Sequence, residues 1–221
     1  MKPKAALIAA ACLSLLRISE LQGDKPSSVD DYLANLRKGL RPRGCRQAGF
    51  TQTYIPNGFA TGRAQAGRMV ISTPSRIRFE YEDPKGRMFA LDGAQVTAID
   101  PGTRSVTKRT MSNEERIRYP LFDIAVGARP LGFHLDVIAI DGSVRLEARP
   151  NRPTDDLVWG AVDLGKDGRN VRRVEWKDAE GNLNRFDLGE LIPFDDCSSQ
   201  TFRPASPEGF QVDEHPDSGR D

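Results

Sequence analysis

RIRFEYEDPKGRMFALDG, residues 76–93, sets the pattern from which the rest of the fold follows. Apolar side chains alternate with charged ones in its first half, at Ile77, Phe79 and Tyr81. Alternation with a period of two predicts a strand with one apolar and one charged face, and Asp-Pro-Lys-Gly at 83–86 predicts the turn of a β-hairpin. A four-residue loop at 83–86 would pair Tyr81 with Met88 on the apolar face.

The period of two recurs along most of the chain. Candidate strands occupy 47–55, 65–72, 76–82, 87–92, 94–99, 104–110, 133–140, 144–149, 156–164, 171–177, 184–192 and 200–203. Because no helix-length connections separate neighbouring strands, these strands are expected to pair antiparallel, as a meander or a barrel-like sheet. A sheet of about eleven strands curls strongly. Its concave face is therefore either filled by its own side chains or left open under a lid.

Two segments carry helix signals. Residues 27–40 have an apolar stripe at spacings of three and four, with Ser27 or Ser28 as the cap. A second helical region is predicted at 112–126, where a capping-box pattern is followed by Pro120 and the region ends at Gly127. These helices are the candidates for a lid. The polar tail, residues 214–221, is predicted to be disordered.

The N-terminus and the composition limit the class of protein. Residues 1–23 begin with lysines and continue with about a dozen apolar residues, which indicates a secretory signal peptide; a short hydrophobic helix is the alternative. Cys12 faintly resembles a lipoprotein acylation site. The formal net charge of +1 gives no support for nucleic-acid binding. No apolar run reaches the ~18 residues that span a bilayer.

The sequence offers no assembled catalytic set. The two histidines, His134 and His215, lie in a strand-like segment and in the tail, and no nucleophile or metal-protease motif accompanies them. Asp195-Asp196 is interpreted as a solvated turn, and the basic stretch 169–177 as an exposed strand face. We therefore expect a protein that is not an enzyme and needs no cofactor or metal.

Taken together, four segments resemble the outer-membrane lipoprotein carrier family. They are FTQTY (50–54), GRMVISTPSRIRFEYEDPKGRMFALDG (67–93), AIDPGTRSVTKR (98–109) and FRPASPEGFQV (202–212). Their order and spacing carry the resemblance, which covers roughly residues 29 to 213. It implies an incomplete, half-open antiparallel β-barrel with a helical lid and an apolar cavity, formed by a lipid- or lipoprotein-binding domain at 24–213.

The apolar faces of the predicted strands and helices supply the candidate site. The acyl-binding cavity is predicted to be lined by Phe50, Tyr54, Met69, Ile71, Ile77, Phe79, Tyr81 and Met88. The lid is predicted to consist of Leu33, Leu36, Leu121, Phe122, Ile124 and Val126. The family usually has an arginine that holds the lid closed, where this chain has Thr73. A neutral Thr makes fewer and weaker hydrogen bonds than a guanidinium, so lid control is expected to differ.

Cys45 and Cys197 remain once Cys12 is removed with the signal peptide. Cys45 lies just before the first predicted strand and Cys197 just before the last, and the ends of a nearly closed barrel would meet. We therefore predict a disulfide between them, with two buried thiols as the alternative.

The resemblance implies a monomeric periplasmic carrier. Such a protein shuttles acylated lipoproteins, or related lipids, from an inner-membrane lipoprotein-releasing transporter to an outer-membrane acceptor. The alternative is a non-transporting protein of the same fold, either a lipid-anchored acceptor or an envelope-stress sensor. A retained, lipidated Cys12 would favour the anchored acceptor.

Overall fold

The computed structural model describes residues 28–40, 44–73, 76–111, 120–140, 142–152 and 157–215. Three helices occur in these ranges: α1 (Val29–Leu40), α2 (Pro120–Ala125) and α3 (Ser199–Phe202). Thirteen strands form one curled sheet. Their bounds are β1 Cys45–Ile55, β2 Arg63–Thr73, β3 Arg76–Tyr81, β4 Met88–Asp92, β5 Gln95–Asp100, β6 Ser105–Thr110, β7 Phe133–Ile140, β8 Ser143–Pro150, β9 Trp159–Leu164, β10 Val171–Lys177, β11 Leu183–Leu188, β12 Ile192–Phe194 and β13 Gln211–His215.

The sheet confirms the predicted mainly β class. Its strand order is β13-β6-β5-β4-β3-β2-β1-β11-β10-β9-β8-β7, and β12 pairs with β1 beside this path. β1 therefore lies in the middle of the sheet and joins two halves. β11 pairs with residues 50–55 of β1, and β12 pairs with residues 45–47.

The end of the chain differs from the sequence prediction. Residues 200–203, predicted as a strand, lie mostly in helix α3, and β13 pairs parallel with β6. β13 continues through His215, so residues 214–215 belong to the sheet and not to a tail; residues 216–221 are outside the described ranges. The rule that neighbouring strands pair antiparallel fails here because the chain crosses from β12, next to β1, to the distant edge strand β6.

The hairpin register also differs by one residue. Tyr81 N–H donates to the Arg87 carbonyl at 3.0 Å, which leaves a five-residue loop at 82–86. Glu82 N–H donates instead to the Ala66 carbonyl of β2 at 3.0 Å. Met88 therefore pairs with Glu80, and Phe89 takes the place opposite Phe79. Since a one-residue shift moves every side chain to the other face, the predicted pairing of Tyr81 with Met88 was wrong.

Helices α1 and α2 pack on the concave face of the β7–β10 half. Ser28 caps α1, because its Oγ accepts a hydrogen bond from Asp31 N–H at 3.2 Å while Ser28 N–H donates to the Asp31 carboxylate. We call the buried cluster beneath the helices the helix-side core. Its members are Tyr32, Leu33, Leu36, Leu121, Ile124, Leu135, Leu146, Ala148, Val162, Leu164, Val171 and Val174.

The predicted disulfide between Cys45 and Cys197 is present, with an S–S distance of 2.04 Å. The reason given for it was wrong, because Cys45 lies in the central strand β1 and Cys197 follows β12, not the last strand. The bond forms on the convex face, where Cys45 packs with Val70 and Phe202. It therefore ties the C-terminal segment to the middle of the sheet.

The segment 197–203, here called the C-terminal brace, covers part of the convex face of β3 and β4. The buried Asp92 carboxylate accepts hydrogen bonds from Arg76 at 2.7 Å and from Arg203 of the brace. Arg78 donates to the Thr201 carbonyl at 3.1 Å. Burial acts to raise the pKa of Asp92, but the bonds from Arg203 and Arg76 outweigh it and hold that pKa below its ordinary value.

Replacing Asp92 with Asn is expected to lower the free energy of unfolding by about 1–3 kcal/mol at pH 7, because two guanidinium bonds lose their charged acceptor. The folded pKa lies below the ordinary value of 3.8, so the carboxylate's contribution is complete above that pH. It is lost as the pH falls through the folded pKa. Urea unfolding from pH 7 to pH 2 should therefore show the two proteins converging in acid. Asp195→Asn, at an exposed carboxylate, is the control. If Asp92→Asn lowers the free energy of unfolding by the same amount at every pH, the stabilisation does not come from the charge of Asp92.

An apolar cavity as the candidate functional site

An apolar cavity of about 50 Å³ lies in the concave face between the two halves of the sheet. Both halves and the end of α2 contribute side chains to it. They are Met69, Ile71, Ile77, Phe79, Ala125, Val126, Val171, Val174, Trp176, Phe186, Leu188 and Leu191. Because every one of these side chains is apolar except for the indole N–H of Trp176, the cavity suits an aliphatic ligand.

Aromatic rings form one wall of the cavity. Phe186 contacts the rings of Phe50, Phe79 and Trp176, with centroid distances of 5.7, 5.6 and 5.9 Å. The Phe50 ring also meets Phe79 and Tyr81 edge-on at 5.4 and 5.3 Å. These contacts join β1, β3, β10 and β11, and thereby hold the two halves of the sheet together behind the cavity.

The last turn of α2 closes the other side. Ala125 and Val126 line the cavity. Gly127 follows in the left-handed region with φ of 78°, and a Cβ there would lie 2.3 Å from the Leu33 carbonyl oxygen of α1. The close approach of the two backbones requires glycine at this position. The short segment 125–127 therefore runs between the cavity and α1.

The predicted cavity residues fall into three groups. Met69, Ile71, Ile77 and Phe79 line the cavity. Phe50 and Tyr81 lie directly behind it in the same cluster. Tyr54 and Met88 were wrong: Tyr54 is 41% exposed and lines a separate polar groove, and Met88 shares the convex face with Glu80. Tyr54 is four residues from Phe50 on β1 and therefore lies on the same concave face, but that face becomes polar at this end of the strand.

Of the predicted lid residues, Val126 lines the cavity. Leu33, Leu36, Leu121 and Ile124 instead pack in the helix-side core, with at most 5% of each exposed. The described residues do not include the side chains of Phe122 and Thr73, residues 112–119, or the predicted signal peptide at 1–23. The part of the predicted lid that contacts the cavity is therefore the end of α2, and α1 supports it from behind.

Sequence reasoning missed the β10–β11 wall of the cavity. The stretch 169–177 was interpreted through its basic residues, although Val174 and Trp176 alternate with them. A register shift between Val171 and Arg173 hides the full apolar period. In β11 the alternation of Asn184, Phe186 and Leu188 was visible in the sequence and would have identified two further cavity residues.

Arginine–carboxylate ion pairs lie on the convex face of the β8–β11 half. On the convex face Arg145 pairs with Asp163 and Glu175, and the hydrogen bond to Asp163 raises the Arg145 pKa against the effect of burial. At the end of the cavity wall, burial raises the pKa of Tyr81, while Arg87 acts to lower it. The phenol therefore stays protonated at neutral pH and donates to Gln52 Oε1 at 2.7 Å.

Two further observations concern the described ranges as a whole. No cluster of three or more His, Cys, Asp or Glu side chains in them is placed to hold a metal ion. None of their helices combines the length and the hydropathy that a membrane span requires.

The family model and the relatives of known name that match this chain belong to the same family. The family model described as "Outer membrane lipoprotein carrier protein LolA" matches residues 45–205. A protein of Bordetella bronchiseptica named outer-membrane lipoprotein carrier protein is 30% identical over 166 residues, which cover 74% of this chain and 77% of the relative. A protein of that name from Xanthomonas oryzae is 26% identical over 150 residues, 66% and 71% of the two chains. The crystal structure of an uncharacterized conserved protein from Thermus thermophilus has the same fold, with a TM-score of 0.55, 12% identity, and coverage of 86% of this chain and 100% of that one.

Proposed function

Because the chain belongs to the outer membrane lipoprotein carrier protein family, we propose that it binds the acyl chains of lipoproteins in the apolar cavity and carries them through the periplasm. The observation that supports this most directly is the apolar lining of that cavity. In this proposal the protein receives its cargo from an inner-membrane transporter and delivers it to an outer-membrane acceptor. No covalent step is involved.

The cavity must expand to take cargo. At about 50 Å³ it is far smaller than the ~300 Å³ at which ligand pockets begin. The end of α2 is the element best suited to move, because Ala125 and Val126 occupy the cavity side while the rest of the helix is fixed in the helix-side core. An acyl chain would displace segment 125–127 and take its place against Phe186 and Val174.

This exchange of contacts solves the problem of release. Each buried methylene contributes ~0.8 kcal/mol, so a chain of ~15 carbons in a rigid cavity would hardly leave. When the chain departs here, Ala125 and Val126 close against Met69 and Phe79, and little apolar surface returns to water. The net affinity is the difference between cargo contacts and lid contacts, which makes transfer to an acceptor possible.

Trp176 provides a direct test. The chain has two tryptophans; Trp176 lines the cavity, whereas Trp159 is on the opposite face with Arg145 5.8 Å from its ring centroid. In the Trp159→Phe variant, a diacylated N-terminal lipopeptide with brominated acyl chains is expected to quench fluorescence, because the bromines contact Trp176. In the matched Trp176→Phe variant the same lipopeptide should leave Trp159 unquenched.

The peptide without acyl chains controls for contacts made by the cargo's polypeptide. Equal quenching of both tryptophans would indicate detergent-like surface binding. Saturable binding, measured by mass spectrometry of the intact complex, without quenching of Trp176 would place the lipid elsewhere and would overturn the proposed site.

A further inference from the structure

A second depression lies on the concave face, beyond the aromatic wall, and we call it the polar groove. It has a volume of about 450 Å³ and is lined by side chains that include Gln52, Tyr54, Arg63, Gln65, Arg87 and Asp100. Neither the apolar cavity nor the exchange of lid contacts involves these residues. Their chemistry therefore requires a separate account.

The polar groove continues the apolar cavity along one face. Phe50, Gln52 and Tyr54 alternate on β1 and point to the same side, so Tyr54 lies ~13 Å along the strand from Phe50. Tyr81 forms the boundary: its ring packs on Phe50, and its hydroxyl donates to Gln52. An amphiphile of ordinary length could therefore place its chain in the cavity and its headgroup in the groove.

Two guanidinium groups give the groove its charge. Arg63 and Arg87 have no carboxylate within ion-pairing distance among the residues that the structure describes, unlike Arg145, Arg173 and Arg185 on the convex face. Arg87 is held by a hydrogen bond to Gln65 Oε1 at 3.1 Å and lies 4.7 Å from the Tyr81 ring centroid. These contacts hold the Arg87 side chain in place but do not neutralise its positive charge.

The groove also contains one carboxylate, and it is engaged elsewhere. Asp100 Oδ1 accepts the Gly102 N–H at 2.8 Å and thereby stabilises the turn after β5. The lining of the groove thus has two guanidinium groups and one carboxylate, so its net charge is positive. Arginine forms forked, charge-assisted hydrogen bonds, which match the oxygens of a phosphate group.

We propose that the polar groove binds the phosphate of an anionic headgroup, so that this protein takes phosphate-bearing amphiphiles whose acyl chain lies in the apolar cavity. The inference rests on the proposed acyl-binding function and adds a ligand class to it. A neutral acyl ligand would use the cavity alone. A phosphate-bearing one would gain the additional bonds to Arg63 and Arg87.

The test compares two lipids with the same acyl chain, both below their critical micelle concentrations: lysophosphatidylglycerol and neutral monoacylglycerol. The Arg63→Gln/Arg87→Gln variant should bind the phospholipid at least ~10-fold more weakly, because hydrogen bonds to charged groups are lost. Its affinity for monoacylglycerol should not change. The control variant, Lys166→Gln/Arg172→Gln, removes the same charge from the convex face and should bind both lipids normally.

Each other outcome decides against the proposal in a distinct way. If both lipids bind equally well to the wild type and the groove variant, the groove has no headgroup role, while the acyl-binding function stands. If inorganic phosphate binds and is lost in the groove variant while lipid affinity is unchanged, the groove is a free-anion site. If neither lipid binds the wild-type protein, the proposed acyl-binding function itself fails.

Discussion

Replacing Ala125 with Phe is expected to weaken the binding of an acylated ligand by about 200-fold. Ala125 ends α2 and points into a cavity of about 50 Å³, so a benzyl group there would occupy the space that an acyl chain must enter. If the ring excludes roughly four methylene groups at ~0.8 kcal/mol each, the loss is ~3 kcal/mol. Quenching of Trp176 by brominated lipopeptide measures the change.

A graded series of substitutions distinguishes a blocked cavity from a loss of folding. Side chains of increasing size at position 125, Val, Leu and then Phe, should reduce affinity in that order. Ala125 is half-buried, and overpacking there costs ~1–3 kcal/mol, so thermal unfolding is measured to check that each variant remains folded at the temperature of the binding assay. Ala139→Phe makes the same substitution at an exposed position of β7 and should leave binding unaffected. Normal binding by Ala125→Phe would mean that cargo does not use this cavity.

Phe79→Glu is a weaker test of the same site. If the cavity stood open, a charge at position 79 could be solvated and the protein would stay folded. In the closed arrangement Phe79 is 6% exposed and packs on Phe50, Phe89 and Phe186. An unpaired carboxylate in that cluster is expected to destabilise the whole fold, so loss of binding would carry no information about the site.

The sequence contained enough information to predict the class of fold and part of the lining of the apolar cavity. The alternation of Ile77, Phe79 and Tyr81 depends only on strand geometry, and these side chains are on the concave face as predicted. The register of the β3–β4 hairpin depended on whether Glu82 pairs within the hairpin or with β2. This depends on long-range contacts that no local sequence pattern reveals. The prediction for Met88 failed for that reason alone.

Long-range packing explains the other differences. Leu33 and Leu36 form the apolar stripe that was predicted for the first helix, but a stripe does not say which part of the sheet it will cover. The charged face of β3 was predicted from its alternation, but the C-terminal brace that covers part of it through Asp92 and Arg203 was not. Nothing local in residues 76–82 indicates that a segment more than a hundred residues away would pack there.

Removing the disulfide, by Cys45→Ala/Cys197→Ala, is expected to lower the free energy of unfolding by about 5 kcal/mol. The bond closes a loop over a sequence separation of 152 residues, and the chain-entropy model gives ~5 kcal/mol for such a loop. Alanine avoids burying a hydroxyl at position 45, which is 3% exposed. Urea unfolding of the variant against the oxidised wild type measures the loss, and the wild type reduced with dithiothreitol should match the variant.

The loss should affect stability without affecting cargo affinity. The disulfide lies on the convex face with Val70 and Phe202, whereas Phe79 and Trp176 line the cavity on the concave face. At temperatures where the reduced protein is still folded, lipopeptide binding should therefore equal that of the oxidised protein. A loss of stability below about 1 kcal/mol would refute the loop-entropy account. A large loss of binding in the folded, reduced protein would instead show that the C-terminal brace acts on the cavity through β1, the strand that carries both Cys45 and Phe50.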